Sequence, residues 1–91
     1  MHEIKQISSV QNILVKKIML LKEKSRERKK TGLFVLEGYR ELELALAGKF
    51  HINSLLFSPS LISKDIILRL LNEHESHPAV IAVTPEVYQK L

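Results

Sequence analysis

The sequence contains no cysteine among its 91 residues. This absence excludes a disulfide framework, a thiolate zinc site and a cysteine nucleophile, and it is consistent with a reducing compartment. No apolar run approaches the roughly 20 residues that a membrane-spanning helix needs. The chain opens with Met-His-Glu-Ile-Lys, which begins no apolar segment typical of a signal peptide. We therefore expect a soluble cytoplasmic protein.

Sequence motifs for catalysis and for cofactor binding are also missing. The three glycines, Gly32, Gly38 and Gly48, match neither a dinucleotide-binding loop nor a phosphate-binding loop. His74 and His77 have a spacing that could hold a metal ion, but a solvated helix end explains them better because no cysteine lies nearby. The residues therefore predict no catalytic, metal-binding or cofactor-binding site in this chain.

Positive charge is concentrated in the first part of the chain. Residues 1–40 contain ten Lys and Arg against four Glu, whereas residues 41–91 contain four Lys and Arg against six acidic residues. This asymmetry indicates a polyanionic partner at one end of the molecule. The overall composition, 45% apolar and 26% charged, is that of one globular domain.

Short apolar runs alternate with amphipathic segments, which is the rhythm of a parallel sheet covered by helices. The predicted strands are residues 33–36, 54–58 and 79–83. The predicted helices are residues 10–29, 39–47, 63–74, and a last one that opens at residue 84. Ser8 and Ser9 are candidate N-caps of the first helix, and Gly32 ends it. In the third helix we expect four inward residues, which are Ile66, Ile67, Leu70 and Leu71.

A basic stretch over residues 22–30 is the clearest functional signal. Lys22, Arg26 and either Lys29 or Lys30 fall on one face of the predicted helix. Lys24 and Arg28 add the neighbouring face, and Lys16 and Lys17 extend the patch upstream. Two interpretations remain open. One is a solvated helix held by the pairs Glu23–Arg26 and Glu27–Lys30, and the other is a phosphate-binding surface.

Arg40 is a second candidate, in the first turn of the helix that follows the predicted strand at 33–36. A cation there opposes the helix dipole, so helix stability does not explain it. The carboxyl end of a strand is also where open α/β sheets bind ligands. Glu37 and Gly38 predict a tight turn, in which Glu37 pairs with Arg40 or accepts from helix N–H groups. Tyr39 could stack on a base, whereas Phe34 is expected in the core.

These elements together resemble a known family. The similar segments are residues 8–12 (Ser-Ser-Val-Gln-Asn), 15–17 (Val-Lys-Lys), Arg26, Arg28 and 32–40 (Gly-Leu-Phe-Val-Leu-Glu-Gly-Tyr-Arg). In these segments the chain resembles the N-terminal substrate-binding domain of SpoU/TrmH-family RNA ribose 2′-O-methyltransferases, in the SPOUT superfamily. The resemblance covers nearly the whole chain. Ile13 stands where many members have proline.

The resemblance implies a fold and a division of labour. The expected fold is a three-layer α/β/α sandwich with a small, mostly parallel sheet, as in small ribosomal proteins that bind kink-turn RNA. Residues 1–31 would form a basic helical segment and residues 32–91 a C-terminally truncated substrate-binding domain. A catalytic domain outside this chain would bind S-adenosylmethionine and mediate homodimerisation. We expect the 91-residue chain alone to be inactive, although its parent would be an RNA 2′-O-methyltransferase.

The resemblance implies that the partner is structured RNA, either ribosomal or transfer RNA. We expect no membrane partner. The implied RNA-binding residues are Lys16, Lys17, Lys22, Lys24, Arg26, Arg28, Lys29, Lys30 and Arg40, with Glu37 and Gly38 as a supporting turn. Two alternatives stay open from the residues alone. One is a freestanding small RNA-binding protein of the ribosomal type, and the other is a protein-interaction or dimerisation domain whose charges keep it soluble.

Overall fold

Three short parallel strands form the centre of the fold in the computed structural model, which describes residues 4–91. They are β1 (Ile4–Ile7), β2 (Ser54–Phe57) and β3 (Ala79–Val83), arranged in the order β1-β3-β2. β3 lies in the middle and is buried along most of its length, as expected for the central strand of a parallel sheet. The predictions of strands near residues 54 and 79 are confirmed.

Within residues 4–91, five helices accompany the sheet. They are α1 (Ile13–Glu23), α2 (Ser25–Thr31), α3 (Tyr39–Ala47), α4 (Lys64–Glu73) and α5 (Pro85–Lys90). None of them is long and apolar enough to cross a lipid bilayer. Helix α1 and helix α5 pack on one face of the sheet, where Val15 and Val87 meet Ile81 in a buried cluster. On the other face, Leu46 of α3 and Leu71 of α4 pack with strand residues. The predicted three-layer α/β/α architecture is confirmed.

Side-chain caps and glycines define where the helices begin and end. Ser63 accepts a hydrogen bond from Ile66 N–H at the start of α4, and Thr84 does the same for Val87 at the start of α5. Gly32 ends α2 in the left-handed conformation, with φ of 71°. For α1 the predicted serine caps are wrong, because the side chain of Asn12 accepts from Leu14 N–H at 2.8 Å. The helix therefore begins at Ile13.

The predicted strand at residues 33–36 is wrong. This segment is irregular chain, and Phe34, which was expected in the core, is exposed. The Leu33 N–H donates to the Thr31 hydroxyl at 3.2 Å, a local bond that replaces a ladder bond. Apolar β-branched and aromatic residues favour a strand only where a neighbouring strand pairs with them. Instead, β1 is the third strand of the sheet. The sequence did not predict it, because the segment has only two apolar residues, Ile4 and Ile7.

The predicted continuous helix from residue 10 to residue 29 is divided in two. Lys24 adopts an extended conformation between α1 and α2, with φ of −116° and ψ of 110°. In an unbroken helix, the carbonyls of Leu21 and Lys22 would accept from the N–H groups four residues later. Here the Arg28 guanidinium donates to both carbonyls instead, at 2.6 and 3.1 Å. One side chain thus satisfies two of the carbonyls that the break leaves without a helical partner.

One inward position of α4 was also predicted wrongly. Ile67, Leu70 and Leu71 are buried, as expected, but Ile66 is exposed. The buried residues follow the i, i+3, i+4 spacing of a single helical face, and Ile66 lies outside that face. Helix α3 buries the residues expected on its inner face. Ala45 and Leu46 are buried, and Leu42 is partly buried against the same core.

Candidate nucleic-acid interface

The first pair of predicted RNA-binding residues lies on α1. Val15 is fully buried against the sheet, and the two residues that follow it, Lys16 and Lys17, are exposed. Because successive helical residues turn by about 100°, the burial of Val15 leaves its lysine neighbours at the surface. The structure thus makes both ammonium groups accessible to a partner.

Helix α2 carries the densest group of exposed cations. It has no buried residue, and the four exposed cations at its start and along it are Lys24, Arg26, Lys29 and Lys30. The expected pairs Glu23–Arg26 and Glu27–Lys30 do not form, since Lys22–Glu37 is the one ion pair within residues 4–91. The break at Lys24 places Glu23 and Arg26 on different helices. Ion pairing therefore does not explain why this helix is basic.

Lys22 has a different role from its neighbours. Its ammonium group lies 2.6 Å from Oε1 of Glu37 and also donates to the main-chain carbonyl of Leu91. These contacts connect the end of α1 with the turn before α3 and with the end of α5. The predicted single face of Lys22, Arg26 and Lys29 is also lost, because the chain breaks between the first residue and the others.

Arg28 is likewise engaged within the fold. It is half-buried, and its Nη1 atom donates to the carbonyls of Leu21 and Lys22. A guanidinium that fills the carbonyl end of a helix also interacts favourably with the helix dipole. We therefore separate Lys22 and Arg28, which hold the basic region in shape, from the remaining predicted cations.

The turn before α3 brings Glu37 to Lys22 rather than to Arg40. Gly38 follows with φ of 99° and ψ of 151°, and it stands at the N-cap of α3. This backbone conformation is nearly restricted to glycine. The predicted strand-to-helix turn is not formed as expected, because no strand precedes Gly38, α3 has no side-chain cap, and Glu37 pairs with Lys22.

Arg26 and Arg40 occupy equivalent positions in their helices. Each is exposed and lies in the first turn, where the helix dipole disfavours a cation. Lys29 and Lys30 lie in the last turn of α2, where the dipole favours them. Helix stability can thus account for the two lysines but not for the two arginines.

We call the basic surface those predicted RNA-binding cations that are exposed and have no carboxylate of residues 4–91 within 4 Å. Its members are Lys16, Lys17, Lys24, Arg26, Lys29, Lys30 and Arg40. These groups belong to α1, to α2 with the residue before it, and to the first turn of α3. Glu23 and Glu27 line the same shallow concavity as Lys24 and Arg26, so the positive potential there is partly offset.

Sequence reasoning missed a groove beside the basic surface. It has a volume of about 580 Å³ and lies between β2, residues 32–39, residues 50–53 and the end of α5. Phe50 and Tyr88 line this groove together with Phe34 and Tyr39, although these residues come from separate parts of the sequence. Nothing in the local pattern around residue 50 or residue 88 predicts this meeting, because it depends on how the helices pack.

None of the three glycines forms a loop for a nucleotide cofactor. Gly32 ends α2, Gly38 precedes α3 and Gly48 ends α3, so each one serves as a helix boundary. A glycine-rich cofactor loop needs several such residues between a strand and a helix.

Comparison with known families identifies the kind of domain. The sequence model of the MRM3-like substrate binding domain matches residues 12–91, from the N-cap of α1 to Leu91. The chain belongs to this family. It is an N-terminal substrate-binding domain of SpoU-family RNA methyltransferases, so the resemblance in the sequence is confirmed. A search of curated proteins gave no match.

Proposed function

We propose that the MRM3-like substrate-binding domain holds structured RNA on its basic surface. The observation that carries this proposal is the concentration of seven exposed Lys and Arg side chains within residues 16–40, none of them paired with a carboxylate of residues 4–91. Arg26 and Arg40 support it most, because they occupy positions that the helix dipole disfavours. Family membership supplies the reason to choose RNA among polyanions.

Binding of this kind is driven by neutralisation of phosphates. Each Lys or Arg that contacts a phosphate releases condensed counterions, so affinity falls steeply as salt is added. Phosphate contacts fix the position and orientation of the RNA but do not read its sequence. Selectivity would come from the shape of the RNA and from its unpaired nucleotides.

In our proposal the RNA is ribosomal or transfer RNA, and the reaction is 2′-O-methylation of a ribose. S-adenosylmethionine would supply the methyl group in a domain outside residues 1–91, as the resemblance to SpoU-family enzymes implies. The chain's own part would be to present one ribose hydroxyl to that domain. We further propose that the parent protein is cytoplasmic and that the other domain mediates homodimerisation.

The test is the salt dependence of RNA binding, measured by fluorescence anisotropy from about 50 to 200 mM salt. The test variant replaces Lys24, Arg26, Lys29 and Lys30 by Gln. The control variant replaces by Gln the four exposed cations of residues 41–91, which are Lys49, Lys64, Arg69 and Lys90. Both variants lose the same charge, so they differ only in where it is lost.

We expect the test variant to bind more weakly and with a flatter slope of log K against log salt. Each lost phosphate contact should lower the slope by roughly 0.7–0.9. Equal slopes for wild type and both variants would contradict the proposal. RNA binding no tighter than that of an unrelated protein of the same charge would favour a protein-interaction domain instead.

The methyltransferase part of the proposal needs its own measurement. We expect the full-length parent to transfer a radiolabelled methyl group to RNA and the 91-residue chain alone to transfer none. Nucleoside analysis should then find the label on a ribose 2′-oxygen. Tight RNA binding by a full-length parent that transfers no methyl group would point to a small RNA-binding protein of the ribosomal type.

A further inference from the structure

The groove beside the basic surface concentrates the exposed aromatic side chains of this chain. The sequence has only five aromatic residues, three Phe and two Tyr. Phe57 is buried in the core. The other four all line the groove and are exposed: Phe34 by 56%, Phe50 by 58%, Tyr39 by 39% and Tyr88 by 44%. Scattered exposed aromatics need no explanation, but a cluster of this kind marks a binding site.

Two of these rings are arranged as a pair. The centroids of Phe34 and Phe50 lie 6.2 Å apart, and their planes make an angle of 86°. This edge-to-face contact is a favourable aromatic geometry, and it occupies only one face of one ring. Ring faces therefore remain for a further flat partner.

The groove has the size and the lining of a ligand site. Its volume of about 580 Å³ is within the roughly 300–1,000 Å³ that is usual for small-ligand pockets. Its floor is apolar, with Leu55, Leu56 and Ile52 among the lining residues. A flat ring that entered it would leave water and contact both aliphatic and aromatic side chains.

Two unpaired cations belong to the surroundings of the groove. Lys17 lines it, and Arg40, which does not line it, follows Tyr39 in the first turn of α3. Lys22 also lines it, but Glu37 and Leu91 already occupy its ammonium group. The unpaired cations make a phosphate-bearing ligand a better complement than a purely apolar peptide.

We propose that the aromatic groove binds an unpaired nucleobase of the RNA, stacked on Phe34 and Tyr39, while Lys17 and Arg40 contact the adjoining phosphates. The proposal rests on the proposed function, since the basic surface holds the rest of the RNA. Proteins commonly recognise folded RNA through splayed-out bases stacked on aromatic side chains. The groove thus distinguishes RNA with loops or bulges from a uniform duplex.

The experiment compares two RNAs of equal length, one with an unpaired loop and one fully paired. Test variants are Phe34→Leu and Tyr39→Leu, which keep an apolar side chain but remove the ring. Tyr39→Phe serves as the rescue variant because it keeps the ring. Leu44→Ala is the matched control, since Leu44 is exposed but lies outside the groove. Thermal unfolding verifies that each variant is folded.

We expect the Leu variants to bind the looped RNA roughly 5- to 100-fold more weakly, the loss expected for one stacked base. Their affinity for the duplex and their salt slope should not change, and Tyr39→Phe should bind like wild type. In addition, 2-aminopurine placed in the loop should lose fluorescence when wild-type protein binds, because stacking quenches it.

Three results would overturn this inference while leaving RNA binding by the basic surface intact. The first is equal loss of affinity for looped and paired RNA in the Leu variants, or no loss at all. The second is a self-association that Phe34→Leu abolishes without changing RNA affinity, which would make the groove a contact between copies of the chain. The third is slow amide exchange over residues 33–36 in free protein, because a fourth strand paired with β2 would fill the groove. Failure of the proposed function differs from these, since there the α2 substitutions would leave RNA affinity and salt slope unchanged.

Discussion

The ammonium group of Lys22 lies 2.6 Å from the carboxylate of Glu37, so the last turn of α1 is joined to the turn before α3. The two residues are 15 positions apart in the chain. The contact gives the Lys22 ammonium group a carboxylate partner, although Lys22 is exposed like its sequence neighbours. A basic run in a sequence thus divides, on folding, into cations that support the surface and cations that are available to a partner.

The Lys22–Glu37 pair should contribute modestly to stability. In a double-mutant cycle with Lys22→Gln and Glu37→Gln, we expect a coupling energy of about 0.2–1 kcal/mol from urea unfolding. The side chains are 34% and 66% exposed, so solvent screens the interaction and added salt should reduce it. Lys22→Gln should also weaken RNA binding less than Arg26→Gln. An equal or larger effect at Lys22 would contradict its assignment as a supporting residue.

Arg28 and Arg26 should differ in their effect on folding. Arg28→Met removes the donor that satisfies the carbonyls of Leu21 and Lys22, and we expect it to lower the free energy of unfolding by about 1–2 kcal/mol. Arg26→Met removes the same charge from an exposed side chain and should change it by less than about 0.5 kcal/mol. Urea denaturation of the two variants makes the comparison. Equal destabilisation would show that Arg28 does not hold the break between the helices.

Gly38 should be intolerant of a side chain for reasons of backbone alone. A Cβ atom there would meet no atom within 4 Å, but φ of 99° is unfavourable for any residue with a side chain. We expect Gly38→Ala to lower stability by about 1–3 kcal/mol. Gly48→Ala is the control, because φ is −81° and the new Cβ would make contacts of 3.4 Å or longer. Similar effects of the two substitutions on the urea midpoint would refute the strained conformation at Gly38.

The inner face of α4 provides a test of the core. Leu71 is fully buried, whereas Ile66 on the same helix is 44% exposed. Leu71→Ala should therefore cost about 2–5 kcal/mol through lost burial and a cavity, and Ile66→Ala should cost less than about 1 kcal/mol. Thermal and urea unfolding measure both values. A larger loss at Ile66 would mean that the helix is rotated from the orientation described here.

Much of the fold could be predicted because local chemistry defined it. Thr84 followed by Pro85 indicated the start of α5, Gly32 indicated the end of α2, and the run at β3 indicated a buried strand. In each case the decisive residues are neighbours in the chain. Caps, glycines and buried apolar runs act over one or two turns, so a single sequence shows them.

The errors arose where a distant group decided the outcome. Residues 33–36 have the composition of a strand but lack backbone pairing with β2, and only the tertiary structure shows this. At the break at Lys24 the Arg28 side chain folds back onto α1, and helix propensity does not reveal that contact. The same limitation applies to the candidate site. The basic residues were evident in the sequence, but their division into supporting and available cations was not.

The most direct test of the basic surface is an NMR titration of the isotope-labelled chain with a structured RNA. It needs no substitution and reports on every backbone amide that the RNA affects. We expect the largest shift changes at residues 16–17, 24–30 and around Arg40, with little change on the exposed side of α4. Perturbations concentrated on α4, with α2 unaffected, would contradict the account of how this domain binds RNA.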